Sequence, residues 1–119
     1  MSTVVLVDDQ PDFLALGRAL LGGDPRLRVV GEATSGPEAI DLVTRLRPEI
    51  VILDVQMPGL TGFETIPRLL KVDPTLRLIL TSSCEHQEYK TLARALGARA
   101  FLSKKELSAA AVVSVLERE

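Results

Sequence analysis

Ile50-Val51-Ile52-Leu53-Asp54 is an unbroken run of aliphatic, mostly β-branched residues closed by an acid. A strand with one wet face alternates apolar and polar residues. A run without alternation suits a strand covered on both faces, which is the condition of a parallel sheet. Working outward, Val4-Val5-Leu6-Val7 repeats the pattern and ends in Asp8-Asp9. Leu27 to Val30, interrupted by Arg28, Leu76 to Leu80, broken by Arg77, and Ala98 to Leu102 are weaker versions.

Amphipathic segments lie between these runs. Asp12 to Leu21 is expected to set Phe13, Leu16 and Leu20 on one helical face. Ser35-Gly36-Pro37-Glu38 reads as a capping box, followed by an apolar stripe of Ala39, Leu42, Val43 and Leu46 and a stop at Pro48. Gly62 to Val72 is a third helix, in which Pro67 predicts a kink or a late start. Gln87 to Leu96 is a fourth, ended by Gly97. Leu107 to Leu116 is a fifth, whose Val112, Val113 and Leu116 read as core, with an interface as the alternative. The β–α unit recurs about five times, and right-handed crossovers put helices on both sheet faces. The expected fold is α/β: an open, doubly wound, five-stranded parallel sheet of flavodoxin-like order 2-1-3-4-5 with about five helices. A closed barrel would need eight strands, too many for this chain.

With 119 residues, the chain fits one domain, residues 1–119, and leaves no room for an output domain. Only 3% of it is aromatic, so its core must be aliphatic. A net charge of −2 offers no basic excess to neutralise a phosphate backbone, which argues against direct nucleic-acid binding. Cys84 is the only cysteine, so no internal disulfide forms. No stretch approaches the roughly 18 apolar residues of a membrane helix. The N-terminus lacks the basic segment of a secretory signal, and the expected location is the cytoplasm.

In open α/β sheets, sites lie beyond the carboxyl ends of the strands, where the winding direction switches. In the order 2-1-3-4-5 that point falls between the first and third strands. Asp8, Asp9 and Asp54 therefore converge on one crevice. Clustered carboxylates raise one another's pKa, and a divalent cation with oxygen ligands and open positions, such as Mg²⁺, relieves the repulsion. A single strand-end acid could be a helix cap or a turn residue. That reading does not explain why both inner strands end in acid. Thr81 follows the fourth strand and Lys104 the fifth. A hydroxyl and an ammonium facing a metal site can hold phosphoryl oxygens.

Taken together, Val4–Asp9, Ile50–Asp54, Met57-Pro58-Gly59, Thr61-Gly62, Leu78-Ile79-Leu80-Thr81 and Gly97–Lys104 resemble the receiver domain of bacterial two-component response regulators. They run in the family's order over essentially the whole chain. Val29-Val30-Gly31-Glu32-Ala33 with Gly36 and Glu38-Ala39 is similar to the NarL/FixJ-like subfamily, whose longer members carry a helix-turn-helix output domain. The resemblance implies that the chain is a phosphoacceptor, not an enzyme, and that Asp54 takes the phosphoryl group from a sensor histidine kinase. It implies Mg²⁺ held by Asp8, Asp9, Asp54 and the backbone carbonyl of Gln56. It assigns Lys104 to the phosphoryl group, Thr81 to a phosphoryl oxygen after transfer, and Phe101 to an aromatic switch. Homodimerisation on phosphorylation would be an output.

Departures from the family pattern are Lys105 where Pro or Asp is usual, and Ser82 where Ala is frequent. Cys84 and His86 read as an incidental thiol and a solvated loop histidine. An aspartate-nucleophile phosphohydrolase would need two Asp separated by one residue, and a flavodoxin-like carrier a Gly/Ser/Thr loop after the first strand. Asp8-Asp9-Gln10 fits neither. The remaining alternative is a receiver-like interaction module that works without phosphorylation.

Overall fold

The apolar runs form the strands expected of them. A computed structural model describes residues 1–84 and 86–118. Along the chain run β1 (Ser2–Val7), α1 (Pro11–Gly22), β2 (Leu27–Ala33), α2 (Gly36–Leu46), β3 (Ile50–Asp54) and α3 (Gly62–Val72). They are followed by β4 (Arg77–Ser82), α4 (Gln87–Leu96), β5 (Ala100–Ser103), a 3-10 turn (Lys104–Glu106) and α5 (Ala109–Glu117). The strands pair in parallel in the order β2-β1-β3-β4-β5. This is the flavodoxin-like arrangement the sequence predicts.

Alternation along each strand splits the core into two layers. Val5, Val7, Val51, Leu53, Leu78 and Leu80 pack with Ala39 and Val43 of α2, Ile66 and Leu69 of α3, and Ala93 of α4. Val4, Leu6, Ile50, Ile52, Ile79 and Ala100 pack with Leu14 and Leu21 of α1 and Val112, Val113 and Val115 of α5. Both layers are aliphatic, as the scarcity of aromatics requires.

Several local expectations need correction. Phe13 packs half-buried against the core as expected, but Leu16 and Leu20 do not form the buried face of α1. Leu14, Gly17 and Leu21 do, while Leu16 and Leu20 stay 49% and 37% exposed. Pro11 opens the helix at its first turn. Gly17 lets α1 lie close on the sheet, because a Cβ there would sit 3.0 Å from Leu6 Cδ1. In α2 the Ser35 hydroxyl accepts the Glu38 N–H, but Glu38 accepts from the Thr34 N–H, not from Ser35, so the capping box is only half formed. Leu46 is 41% exposed at the end of the stripe. Pro67 does not delay α3, which begins at Gly62 because Thr61 and Glu64 form a full capping box there. Helix α5 starts later than Leu107, behind its N-cap Ser108. Gly97 ends α4 at φ 110°, and Val112 and Val113 are core, as expected.

Candidate functional site

β1 and β3 are neighbours, with Val7 beside Leu53, so their terminal acids reach the same sheet edge. Helix α1 leaves β1 toward one face and α3 leaves β3 toward the other, which opens a crevice between them. Carboxylate oxygens of Asp8, Asp9 and Asp54 lie within 4.8 Å of one another. Asp8 and Asp54 are only 1% and 4% exposed, whereas Asp9 reaches solvent.

Asp8 Oδ1 accepts the Gln10 backbone N–H at 2.9 Å. Its Oδ2 faces Lys104 Nζ at 2.8 Å, an ion pair rather than an aligned hydrogen bond. Lys104 Nζ also stands 3.7 Å from Asp54 Oδ2. One ammonium against three carboxylates leaves excess negative charge in a buried place. The Asp54 carboxyl is accordingly pushed up from 3.8 to about 6, by burial first and by the charge of Asp8 second. Lys104 and the Gln56 backbone N–H pull it the other way without prevailing.

This donor set fits a hard divalent cation such as Mg²⁺. It is all oxygen, it is short of positive charge, and Asp9 leaves it open on one side. A carboxyl whose pKa is raised by burial and by a neighbouring acid is what such a cation relieves.

The remaining residues singled out in the sequence reach the same edge, with one exception. Thr81 is the register partner of Asp54 across β3 and β4. Strand alternation puts it on the same side of the sheet as Asp8 and Asp54. It is fully buried, and its Oγ1 has no hydrogen-bond partner. Buried hydroxyls are seldom left unpaired. Gln56 is exposed and lines a groove of about 570 Å³ together with Asp9, Met57, Pro58, Thr61, Phe63 and Tyr89. Phe101 is the exception: half-buried, it packs into the layer of Val5 and Leu53, on the opposite side of the sheet from Thr81, with its ring 6.4 Å from that of Tyr89.

The loop after β3 returns sharply into α3. Gly62 N–H donates to the Val55 carbonyl at 2.9 Å, and a Cβ on Gly62 would lie 2.3 Å from the Asp54 carbonyl oxygen. Only glycine permits that approach, and it holds the backbone of Asp54 in place.

Two neighbours of Lys104 went unseen in the sequence. Gln10 Oε1 accepts from Lys104 Nζ at 3.2 Å, and the Phe13 ring centroid lies 4.5 Å from Nζ. Phe13 reads in sequence as one more core residue of α1. Its place one turn beyond Asp8-Asp9 was the signal that could have suggested more. The aromatic group formed by Phe63, His86 and Phe101 around Tyr89 was also unforeseen, since its members come from separate elements.

A family model described as the response regulator receiver domain matches residues 4–116. A protein-glutamate methylesterase/protein-glutamine glutaminase of Syntrophus aciditrophicus is 40% identical over 92% of this chain, which covers 32% of that protein. The nitrate/nitrite response regulator NarL of Escherichia coli is 34% identical over 87% of this chain and 48% of its own length. The chain thus spans about a third to a half of these curated relatives. The signal receiver domain of the putative response regulator NarL from Mycobacterium tuberculosis superposes with a TM-score of 0.89 at 27% identity, covering 99% of this chain and 98% of that one.

Proposed function

The chain belongs to the response regulator receiver family of two-component systems, among its NarL/FixJ-like members, and from that premise we propose that it is a phosphorylation-driven switch whose acceptor is Asp54. One observation carries the reading. A buried carboxyl with a raised pKa stands beside two further acids and an ammonium, and a buried hydroxyl without a partner lies on the adjoining strand.

The donor is the phosphohistidine of a sensor histidine kinase. An Asp54 carboxylate oxygen attacks phosphorus, the P–N bond breaks, and its electron pair returns to the imidazole nitrogen. The product is an acyl phosphate on Asp54. Asp8, Asp9 and Asp54, with the Gln56 backbone carbonyl, are the residues that would hold Mg²⁺. When bound, that ion supplies positive charge against the transferring oxygens. Attack requires Asp54 in its ionised form, and burial beside Asp8 makes that form harder to reach than for a free carboxyl. Lys104, within 3.7 Å of the acceptor oxygen, is poised to pair with a phosphoryl oxygen. Thr81 has an unused hydroxyl to donate to another.

The phosphoryl group adds about −1.5 to −2 charge, and the new partners of Thr81 and Lys104 exist only in that state. Phe101 is the register partner of Leu80, the residue just before Thr81, so movement of Thr81 reaches it through one residue. The surface of α4, β5 and α5 is the natural reporter, because α4 buries only Ala93 fully and its Tyr89 ring lies against Phe101 of β5. Its output is dimerisation, or contact with a helix-turn-helix domain in a longer chain or a partner. Among the described residues no helix is long and apolar enough to cross a membrane. A cytoplasmic location belongs to this proposal.

Incubation with a small phosphodonor and Mg²⁺ is expected to add one phosphoryl mass by intact mass spectrometry. Asp54→Asn should abolish the addition, and omission of Mg²⁺ should suppress it. Full modification of the Asn variant would relocate the acceptor. No modification of the wild-type chain would favour a module that works by contact alone.

A further inference from the structure

Lys104 is held from outside the acid cluster as well as from within it. Its side chain is only 15% exposed, and it stands just past the end of β5, at the first residue of the 3-10 turn. Three groups from the β1–α1 junction meet it: Asp8 Oδ2 at 2.8 Å, Gln10 Oε1 at 3.2 Å, and the face of the Phe13 ring at 4.5 Å. That junction is itself rigid. Asp8 Oδ1 accepts the Gln10 N–H, Pro11 fixes the first residue of α1, and the Gln10 carbonyl accepts the N–H groups of Phe13 and Leu14. Gln10 is the N-cap residue but makes no side-chain cap, so its amide is spent on Lys104 instead.

We propose that Gln10 and Phe13 are positioning residues: they form a cradle on α1 that keeps the Lys104 ammonium at the mouth of the acid pocket and so sets how readily it meets a phosphoryl group on Asp54. An ammonium on a flexible four-carbon stem has many solvated alternatives. The ring quadrupole and the amide oxygen attract it without adding a formal negative charge. The cradle therefore restrains Lys104 without competing with the phosphoryl group as a further carboxylate would. This inference rests on the assignment of Asp54 as acceptor.

The test has two readouts. In the NMR spectrum the Lys104 Hε protons should lie upfield in the wild type, shifted by the Phe13 ring, and return to ordinary values in Phe13→Leu. Phosphorylation by a small phosphodonor with Mg²⁺ should slow about 2- to 5-fold in Phe13→Leu, stay near the wild-type rate in Phe13→Tyr, and fall less in Gln10→Ala. In a Lys104→Ala background, Phe13→Leu should have no further effect, because the cycle isolates the pair. An unshifted Lys104 resonance, or an equal loss of rate with and without Lys104, overturns the cradle. If the resonance is shifted but the wild-type chain takes no phosphoryl group, the acceptor assignment fails, and the cradle's role in transfer fails with it.

Discussion

A carboxyl that titrates near pH 6 in the folded chain, against 3.8 as its ordinary value, binds its proton more tightly folded than unfolded. Below 3.8 both states hold the proton, and the site makes no demand on the fold. Between 3.8 and about 6 the unfolded chain releases it while the folded chain keeps it, so stability falls as pH rises. Above that window the folded chain carries an ionised, buried Asp54 beside Asp8, and the loss is complete. The displacement from 3.8 to about 6 corresponds to about 3 kcal/mol at most. In metal-free buffer at pH 7.5, Asp54→Asn should therefore be more stable than the wild type by roughly 2–3 kcal/mol in urea melts. The difference should shrink toward zero at pH 4. A variant no more stable than the wild type at pH 7.5 would mean that Lys104 already compensates the buried charge. Placing the acceptor at a destabilised carboxyl is consistent with a site that trades stability for reactivity.

Among the elements, the end of β3 and the start of α3 act as one unit. Thr61 and Glu64 exchange hydrogen bonds at 3.2 and 3.0 Å, and Gly62 lies against the Asp54 backbone. Thr61→Ala removes only a cap and should cost about 1 kcal/mol while leaving phosphoryl uptake intact. Gly62→Ala puts a methyl group 2.3 Å from the Asp54 carbonyl oxygen, so the loop must shift. It should reduce uptake sharply and destabilise more than the loss of the cap. Chemical denaturation and intact mass, measured on both variants, separate the two effects. Equal uptake in both would show that the loop tolerates displacement. Elements also differ in how far their sequences reveal them. Strands β1 and β3 were legible because both faces are covered and no residue interrupts them. Helix α1 was misphased because Leu16 and Leu20 are as apolar as Leu14 and Leu21, and periodicity alone could not choose between the two stripes. Gly17, whose missing side chain makes room for Leu6, was the deciding residue. The start of α5 was set by Ser108, a cap hidden behind the apolar Leu107. Asp8, Asp9, Asp54, Thr81 and Lys104 were placed together by strand order alone. Gln10 and Phe13 were not, because their contact with Lys104 depends on side-chain direction rather than spacing.

For the whole molecule, the site joins parts of the chain that are distant in sequence. Asp8 follows β1, Asp54 ends β3 and Lys104 lies just past β5, so a cation held among the acids ties the two central strands together at their carboxyl ends. A ligand that binds only the folded state stabilises it by mass action, by about 2.7 kcal/mol at a hundredfold excess over its dissociation constant. For a domain of this size that corresponds to a rise in Tm of roughly 10 °C. Saturating Mg²⁺ at pH 7.5 should therefore raise Tm by several degrees in a thermal melt. Near pH 5 the rise should shrink, because the proton on Asp54, with its pKa at about 6, competes with the cation. Asp9→Asn should weaken the rise while keeping the fold, since Asp9 reaches solvent and carries none of the core. An equal rise with Ca²⁺, Mg²⁺ and simple salt, unchanged in Asp9→Asn, would mean general screening of the acids. A rise specific to Mg²⁺ and lost with Asp9 would identify the three converging carboxylates as one cation site.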